Sequence, residues 1–156
     1  MKMLNSPKGA IGLLIILFAA IAFANAVEKP PEIALKPDIV LKNLRIDRIS
    51  STPTADNVQI TVTVINAVRG TSTGPFKVKV EWTENPTIGF TLLGTSGISN
   101  LTNDPSSIVV RNETRTFNHT VPKGKAYKYL ATADYMNQVS EANESNNANS
   151  AGYVAT

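Results

Sequence analysis

Between residues 134 and 147 the chain reads Asp134-Tyr135-Met136-Asn137-Gln138-Val139-Ser140-Glu141-Ala142-Asn143-Glu144-Ser145-Asn146-Asn147, a dense run of oxygen-bearing side chains. Asp134, Asn137, Glu141, Glu144 and Asn146 would supply hard oxygen ligands from one short segment. Oxygens of this kind, taken six to eight at a time at about 2.3–2.6 Å, are what Ca2+ binds outside the cell. The spacing differs from the twelve-residue calcium loop of helix-loop-helix proteins and lacks its central glycine. The plainer account of the same residues is that Asn and Asp bond their own backbone in turns, while the Glu residues cap strand ends or face water. Ca2+ is thus an expectation to test, and no other cofactor is expected.

Little else in the chain could do chemistry. There is no cysteine and one histidine, which removes disulfides, thiolate zinc sites, iron–sulfur clusters and thiol nucleophiles and leaves a single imidazole for acid–base work. No G-x-S-x-G elbow surrounds any serine, so a Ser-His-Asp hydrolase has no nucleophile to offer. His119, between Asn118 and Thr120, reads as a surface strand residue, and no enzyme is expected. Four asparagines match the glycosylation sequon: Asn100, Asn112, Asn118 and Asn143. In a chain this rich in Asn, Ser and Thr that is hardly above chance. If sugar is added, Asn100, Asn112 and Asn118 are close enough in sequence to place it on one edge of the fold.

The segments that must position these residues begin after a leader. Lys2 and Lys8 precede an unbroken apolar run from Ala10 to Ala24, and Ala24-Asn25-Ala26 has small residues where a leader peptidase needs them, the layout of a signal peptide over residues 1–26. The run is short of the ~20 residues that span a bilayer as a helix, which favours removal after Ala26. Lys8-Gly9 ahead of the run also resembles the processing site of archaeal pilin and archaellin precursors. That alternative cuts after Gly9 and keeps the helix 10–26 in a filament or membrane-anchored accessory. Pro30 and Pro31 would stop such a helix early. Only retention of 10–26 would give membrane contact.

Without the leader, 15 minus 2 leaves 13 basic residues against 12 acidic ones, a formal charge of +1. The basic residues are scattered, so nucleic-acid binding is not expected. Only 17% of residues are charged, below the usual ~25%, with Thr, Ser and Asn supplying the polarity. Residues 27–37, VEKPPEIALKP, read as a Pro-rich extended linker, and the domain proper runs from residue 38 to 156.

From there the apolar period is two. Val58, Ile60, Val62 and Val64 alternate with polar residues, as do Phe76, Val78, Val80 and Trp82. This is the signature of antiparallel strands with one dry face. Further strands are expected at Ile39–Ile46, with a bulge at Lys42-Asn43, and at Thr87–Leu93, 108–110, Thr114–Val121, Ala126–Ala133 and Asn147–Val154. About seven strands without an amphipathic helix indicate an all-β fold, an immunoglobulin- or fibronectin III-like antiparallel sandwich. Trp82, Tyr127 and Tyr129 should line its core, with the tyrosine hydroxyls reaching an edge. Carbohydrate stacking would need Trp82 exposed. Lys77 and Lys79 read as protection of an edge strand.

Asp134, Asn137, Val139, Glu141, Glu144, Asn146 and Asn147, together with Pro37-Asp38-Ile39, Val64-Ile65-Asn66 and Gly74-Pro75-Phe76-Lys77-Val78, resemble the CARDB family, the cell adhesion related domain found in bacteria. The resemblance spans roughly residues 37–150. Ala67-Val68-Arg69-Gly70 stands where members place a glycine soon after the strand-two Asn, and residues 84–112 are longer than the usual links. What the resemblance implies is an immunoglobulin-like sandwich on exported proteins, with binding or adhesion and no catalysis attached. The expectation is a secreted or cell-surface module that contacts a protein or glycan through the loops near 66–75, 84–112 and 134–146, with self-association through an edge strand as another route to partners.

Overall fold

The structure, a computed structural model, describes residues 34–108 and 110–156. The expected leader, its alternative cut sites, the filament helix and most of the linker lie outside those residues. Among the described residues nine strands follow one another: β1 (Ile39–Ser51), β2 (Ala55–Asn66), β3 (Thr71–Ser72), β4 (Phe76–Thr83), β5 (Thr91–Ile98), β6 (Thr102–Asn103), β7 (Asn112–Pro122), β8 (Ala126–Ala133) and β9 (Ala148–Val154). They form a three-stranded sheet β1-β2-β7, a four-stranded sheet β5-β4-β8-β9 and a two-stranded ribbon β3-β6. Every pairing is antiparallel. Seven long strands in two layers make the expected sandwich.

The alternation read from the sequence is the cause of the layering. Along β2 every second residue is buried: Asp56, Val58, Ile60, Val62, Val64 and Asn66. Those four aliphatics meet Val78, Val80, Tyr129 and Ala131 of the other sheet in one core. Each is fully out of water, which contributes about 1.5–3 kcal/mol per side chain relative to exposure. The dry face of β2 ends in a polar residue on both sides, Asp56 and Asn66, and each needs a local answer.

Two ends can be distinguished. At one, called the entry end, β1 begins beside the ends of β2 and β8 and the starts of β4 and β9. The links 67–75, 99–111 and 134–147 gather there. At the opposite end lie the turns 52–54, 84–90 and 123–125 and the last residues of the chain. Residues 84–112 therefore do not act as one contact loop, because β5 and β6 divide them between the two ends.

Strand boundaries depart from expectation where glycine was read as punctuation. The strand expected at Thr87–Leu93 lies at Thr91–Ile98, with 86–88 in a turn and Gly94 and Gly97 inside it. A Cβ on Gly94 would stand 3.2 Å from the ring of Phe117 in β7, so that glycine answers a close approach of the two sheets. Ile108 and Val110 are in no strand, and residue 109 is not described; the extra pairing is made by Thr102–Asn103 instead. The bulge in β1 falls between Leu41 and Asn43, as expected, and the strand runs on to Ser51 through a second irregularity after Arg48. Lys77 and Lys79 do not guard an edge, because β4 lies between β5 and β8. Lys79 instead pairs with Glu81 at 3.0 Å and lies 5.5 Å from the centre of the Tyr135 ring.

Candidate functional site

At the entry end the polar residues singled out from the sequence are brought together, but as a fastening. β8 ends at Ala133, and Asp134 turns the chain with φ of 44°, followed by Asn137 at 50°. Asp and Asn tolerate this left-handed region because their short side chains bond nearby backbone. The Asp134 carboxylate accepts the backbone N–H groups of Gln138 and Val139, both at 2.8 Å. The loop then crosses to the other sheet. Glu141, only 6% exposed, accepts the N–H of Ile39 at 2.6 Å on one oxygen and the Asn147 amide at 2.9 Å on the other. Ala142 N–H reaches Pro37 O, and Asn146 Nδ2 donates to Asp38 at 3.0 Å. The start of β1 is thereby tied to the start of β9 across the sandwich.

Asn66 closes the same end from below. Its Oδ1 accepts the N–H groups of Asp38 and Val68, and its Nδ2 donates to the carbonyls of Thr71 and Leu101. Asn103 Nδ2 caps the Asn66 carbonyl at 2.8 Å. One amide thus satisfies four main-chain groups from three links, as buried backbone requires.

The five residues expected to hold Ca2+ are arranged differently from a cage. Both oxygens of Asp134 and of Glu141 are bonded within the fold. Glu144, exposed, accepts Glu141 N–H on one oxygen, Asn137 is exposed, and Asn146 faces Asp38. Among the described residues no three acidic or imidazole side chains gather around one point. Asn146 Oδ1 and Asn147 Oδ1, however, are buried without a hydrogen-bond donor. Glu141 does not behave as an ordinary carboxylate. Burial pushes it up to about 7, with Glu144 and Asp134 adding to the rise and the bonds from Ile39 and Asn147 opposing it.

The far end holds a site the sequence reading missed. Asp56, fully buried, accepts the hydroxyls of Ser51 at 2.6 Å and Tyr153 at 2.8 Å, with Arg48 and Lys123 each 3.9 Å away. The Ser51 hydroxyl, helped by Tyr153 and the two cations, holds its carboxyl below the usual carboxylate range against the opposing effect of burial. A carboxylate at an inward position of a period-two strand was the signal available, and only a partner could make it tolerable.

His119 is not a surface residue. It is half-buried, with its ring 4.6 Å from Trp82 and its Nδ1 3.0 Å from the hydroxyl of Tyr129. Burial lowers its pKa, which keeps the imidazole neutral. Tyr129 is wholly buried, so its hydroxyl stays inside rather than reaching an edge, whereas Tyr127 reaches Pro122 O at 3.1 Å. Trp82 is partly buried against the core, with Tyr127 6.0 Å away. Replacing Tyr129 by Phe or His119 by Leu alone is expected to cost about 1–2 kcal/mol, because each leaves the other polar group unanswered. The double change is expected to cost less than the sum. Urea unfolding of the three variants checks this, and strict additivity would show that the pair is not coupled.

All four sequon asparagines are exposed. Asn112 and Asn118 lie on one outward face of β7, an edge strand. Asn143 Oδ1 accepts Ser145 N–H and Oγ–H in a turn, and Asn100 is bonded by Ser72 and donates to Thr102 at 3.3 Å.

Three comparisons bear on this arrangement. The chain is similar to the crystal structure of the CARDB domain of a Pyrococcus furiosus protein, described as in complex with di-metal ions. The two share 21% identity over 78% of this chain and 90% of that one, with a TM-score of 0.56. It is similar also to the solution structure of a domain from a proposed cell surface protein of Methanosarcina acetivorans, at 20% identity over 78% and 94% with a TM-score of 0.55. At these identities the likeness shows the fold. No curated protein matches the chain. The family model for CARDB matches residues 36–151, from just before Pro37-Asp38 to within β9, and so takes in the whole fastening of Asn66, Asp134, Glu141, Asn146 and Asn147; the chain belongs to the CARDB family.

Proposed function

We propose that this CARDB domain is an exported, non-catalytic binding module of the cell surface or extracellular space, with residues 1–26 as its export signal. The observation that carries the reading is how the polar signature is used. Asp38, Asn66, Asp134, Glu141 and Asn147 are consumed in bonds that lock the entry-end links to both sheets. The product is a rigid block with a nearly neutral surface that displays loops at both ends, the form in which sandwich folds present contacts. The origin of the Methanosarcina acetivorans relative in a proposed cell surface protein supports the same placement. The partner is a protein or glycan of the surface or extracellular space.

The N-terminal residue of the protein recovered from its producing cell tests the export step. Val27 is the expected result, whereas Ala10 or an intact Met1 removes the free secreted module. Arrays of glycans and of surface proteins probed with the full exported chain test the binding step, and silence on both removes it.

A second reading is favoured by Asn146 Oδ1 and Asn147 Oδ1, buried oxygens without a donor among the described residues, in the loop that also carries the exposed Glu144. They are suited to a hard cation such as Ca2+, and the Pyrococcus furiosus relative is described with metal ions. Asp134 and Glu141 would keep their structural bonds. Calorimetry with CaCl2 is expected to show a heat of binding that Glu144→Gln weakens. No heat, together with an unchanged melting temperature in Ca2+ and in chelator, rejects the cation.

A further inference from the structure

The far end of the sandwich, away from the entry-end fastening, offers a place where a ligand could be received. There a cleft of about 290 Å³ opens between the end of β4 and the turn 84–90, lined by Trp82, Thr83, Glu84, Asn85, Ile88 and Thr91. We propose that this cleft binds one uncharged sugar ring of a glycan. The proposal rests on the reading of the domain as a binding module and names the class of ligand.

Four observations converge on a sugar. Trp82 is the chain's only tryptophan. It is only partly buried and is backed by His119 at 4.6 Å and Tyr127 at 6.0 Å, so an aromatic surface at the cleft is held in place before any ligand arrives. The part of the indole that borders the cleft is apolar area against which the C–H side of a pyranose can pack, while the ring's hydroxyls are left for polar groups at the rim.

Those polar groups are present and uncommitted. Asn85 uses its Oδ1 for Thr87 N–H at 3.1 Å and for the Thr87 hydroxyl at 2.8 Å, while its Nδ2 has no partner among the described residues. The Thr91 hydroxyl likewise has none. A purely apolar occupant would cover these donors without replacing their water, which costs affinity. A hydroxylated ring answers them.

Charge narrows the class further. Glu84, the only ionised side chain lining the cleft among the described residues, has both oxygens on Lys125 Nζ, at 3.0 and 2.8 Å. The pair leaves no net charge to select an anion or a cation. Finally, Ile88 stands at the rim 84% exposed, on a turn shaped by Gly89 with φ of 116°. A branched aliphatic presented to water beside an aromatic is apolar area that a bound ring would cover. The cleft's volume, at the small end of the range of ligand pockets, suits one ring rather than several.

A single tryptophan makes the test direct, because all indole emission comes from Trp82. The full exported chain is titrated with glucose, galactose, mannose and N-acetylglucosamine, each as the monosaccharide and as a disaccharide, and Trp82 emission is followed. A saturable change is expected with at least one of them, weakened about tenfold or more by Asn85→Ala and by Thr91→Val. Ile88→Ser, at an exposed position that cannot unfold the protein by losing core contacts, is expected to weaken it several-fold. The proposal is overturned by emission that no sugar changes, or by a change that all three variants keep. It is overturned equally if an unglycosylated peptide, and no sugar, shifts the emission. Arrays separate this failure from that of the broader reading. Ligands captured on an array with Trp82 emission unmoved leave the binding module standing and remove the cleft, whereas silence on the arrays and in the titration removes both.

Discussion

Asn66→Ala is expected to lower the stability of the domain by about 3–5 kcal/mol and its melting temperature by roughly 12–20 °C. The alanine deletes four hydrogen bonds to main-chain groups at once, those from Asp38 N–H and Val68 N–H and those to the carbonyls of Thr71 and Leu101, together with the contact to the Thr71 hydroxyl. Each buried main-chain group left without a partner costs about 1–3 kcal/mol, and the more exposed of the four can recover water. Asn66→Asp should be nearly as harmful, because a carboxylate keeps the acceptor and loses both donors. Asn118→Ala serves as the control: the same residue type, exposed on β7, is expected to change stability by less than about 0.5 kcal/mol. Chemical denaturation of the three variants decides. A loss below about 1 kcal/mol for Asn66→Ala would mean that the links it joins are not fastened in solution.

The second large effect is a dependence on pH carried by Glu141. Its folded-state pKa of about 7 lies above the ~4.3 of a free glutamic acid. Between those values the native protein keeps a proton that the unfolded chain has released. The stabilisation is therefore complete below about pH 4 and is lost as pH rises through 7. At about 1.4 kcal/mol per pKa unit the whole effect is of the order of 3 kcal/mol. Groups around it share in setting that value, since Glu144 and Asp134 repel the ionised form while the Ile39 N–H and the Asn147 amide favour it.

Two other groups act with the opposite sign. His119, lowered by burial, destabilises the fold as pH falls through the range where the unfolded imidazole gains its proton, around 6.5. Asp56, lowered chiefly by the Ser51 hydroxyl, contributes stability that is lost in more acid solution. The difference between variants is thus the clean measurement. Across pH 5 to 8, Glu141→Gln is expected to remove the downward slope and leave the upward one of His119, and Glu141→Gln with His119→Leu should be nearly flat. The glutamine can still accept from Ile39 and, with the Asn147 amide turned over, donate to Asn147 Oδ1. Melting curves of wild type and Glu141→Gln that run parallel across this range would show that Glu141 is ionised and wet in the native state.

These residues also mark where reading the chain stops being sufficient. The layers, the dry face of β2, the limits of β4 and β8 and the bulge at Leu41/Asn43 were legible because each follows from neighbours two positions apart, and period two is a local property. The family could be recognised for a related reason: Asp134, Glu141, Asn146 and Asn147 keep a fixed spacing in one loop. What that spacing could not reveal was whether the oxygens converge on an ion or turn toward backbone donors. The donors come from Ile39, Gln138 and Val139, and Ile39 is about a hundred residues from Glu141.

Glycine was the weakest local signal. At Gly94 it answers the Phe117 ring from the facing sheet, so a residue read as the end of a strand lies inside one. The same limit explains His119 and Asp56. Polar residues at inward-facing positions look like surface residues or misfits until Tyr129, Ser51 and Tyr153 come from other strands to bond them.

By itself, then, the sequence determined that this chain makes an all-β sandwich, since apolar alternation dictates which face of each strand leaves water, and the spacing of its loop residues carried the resemblance to CARDB. Only the tertiary structure decided the uses of its polar residues. It closed the entry end with Asn66 and Glu141, buried Asp56, set His119 half-buried against Trp82, and shaped the cleft beside Trp82. The reason is that a hydrogen bond or an excluded charge depends on what stands three ångströms away, and here that neighbour comes from a distant part of the chain.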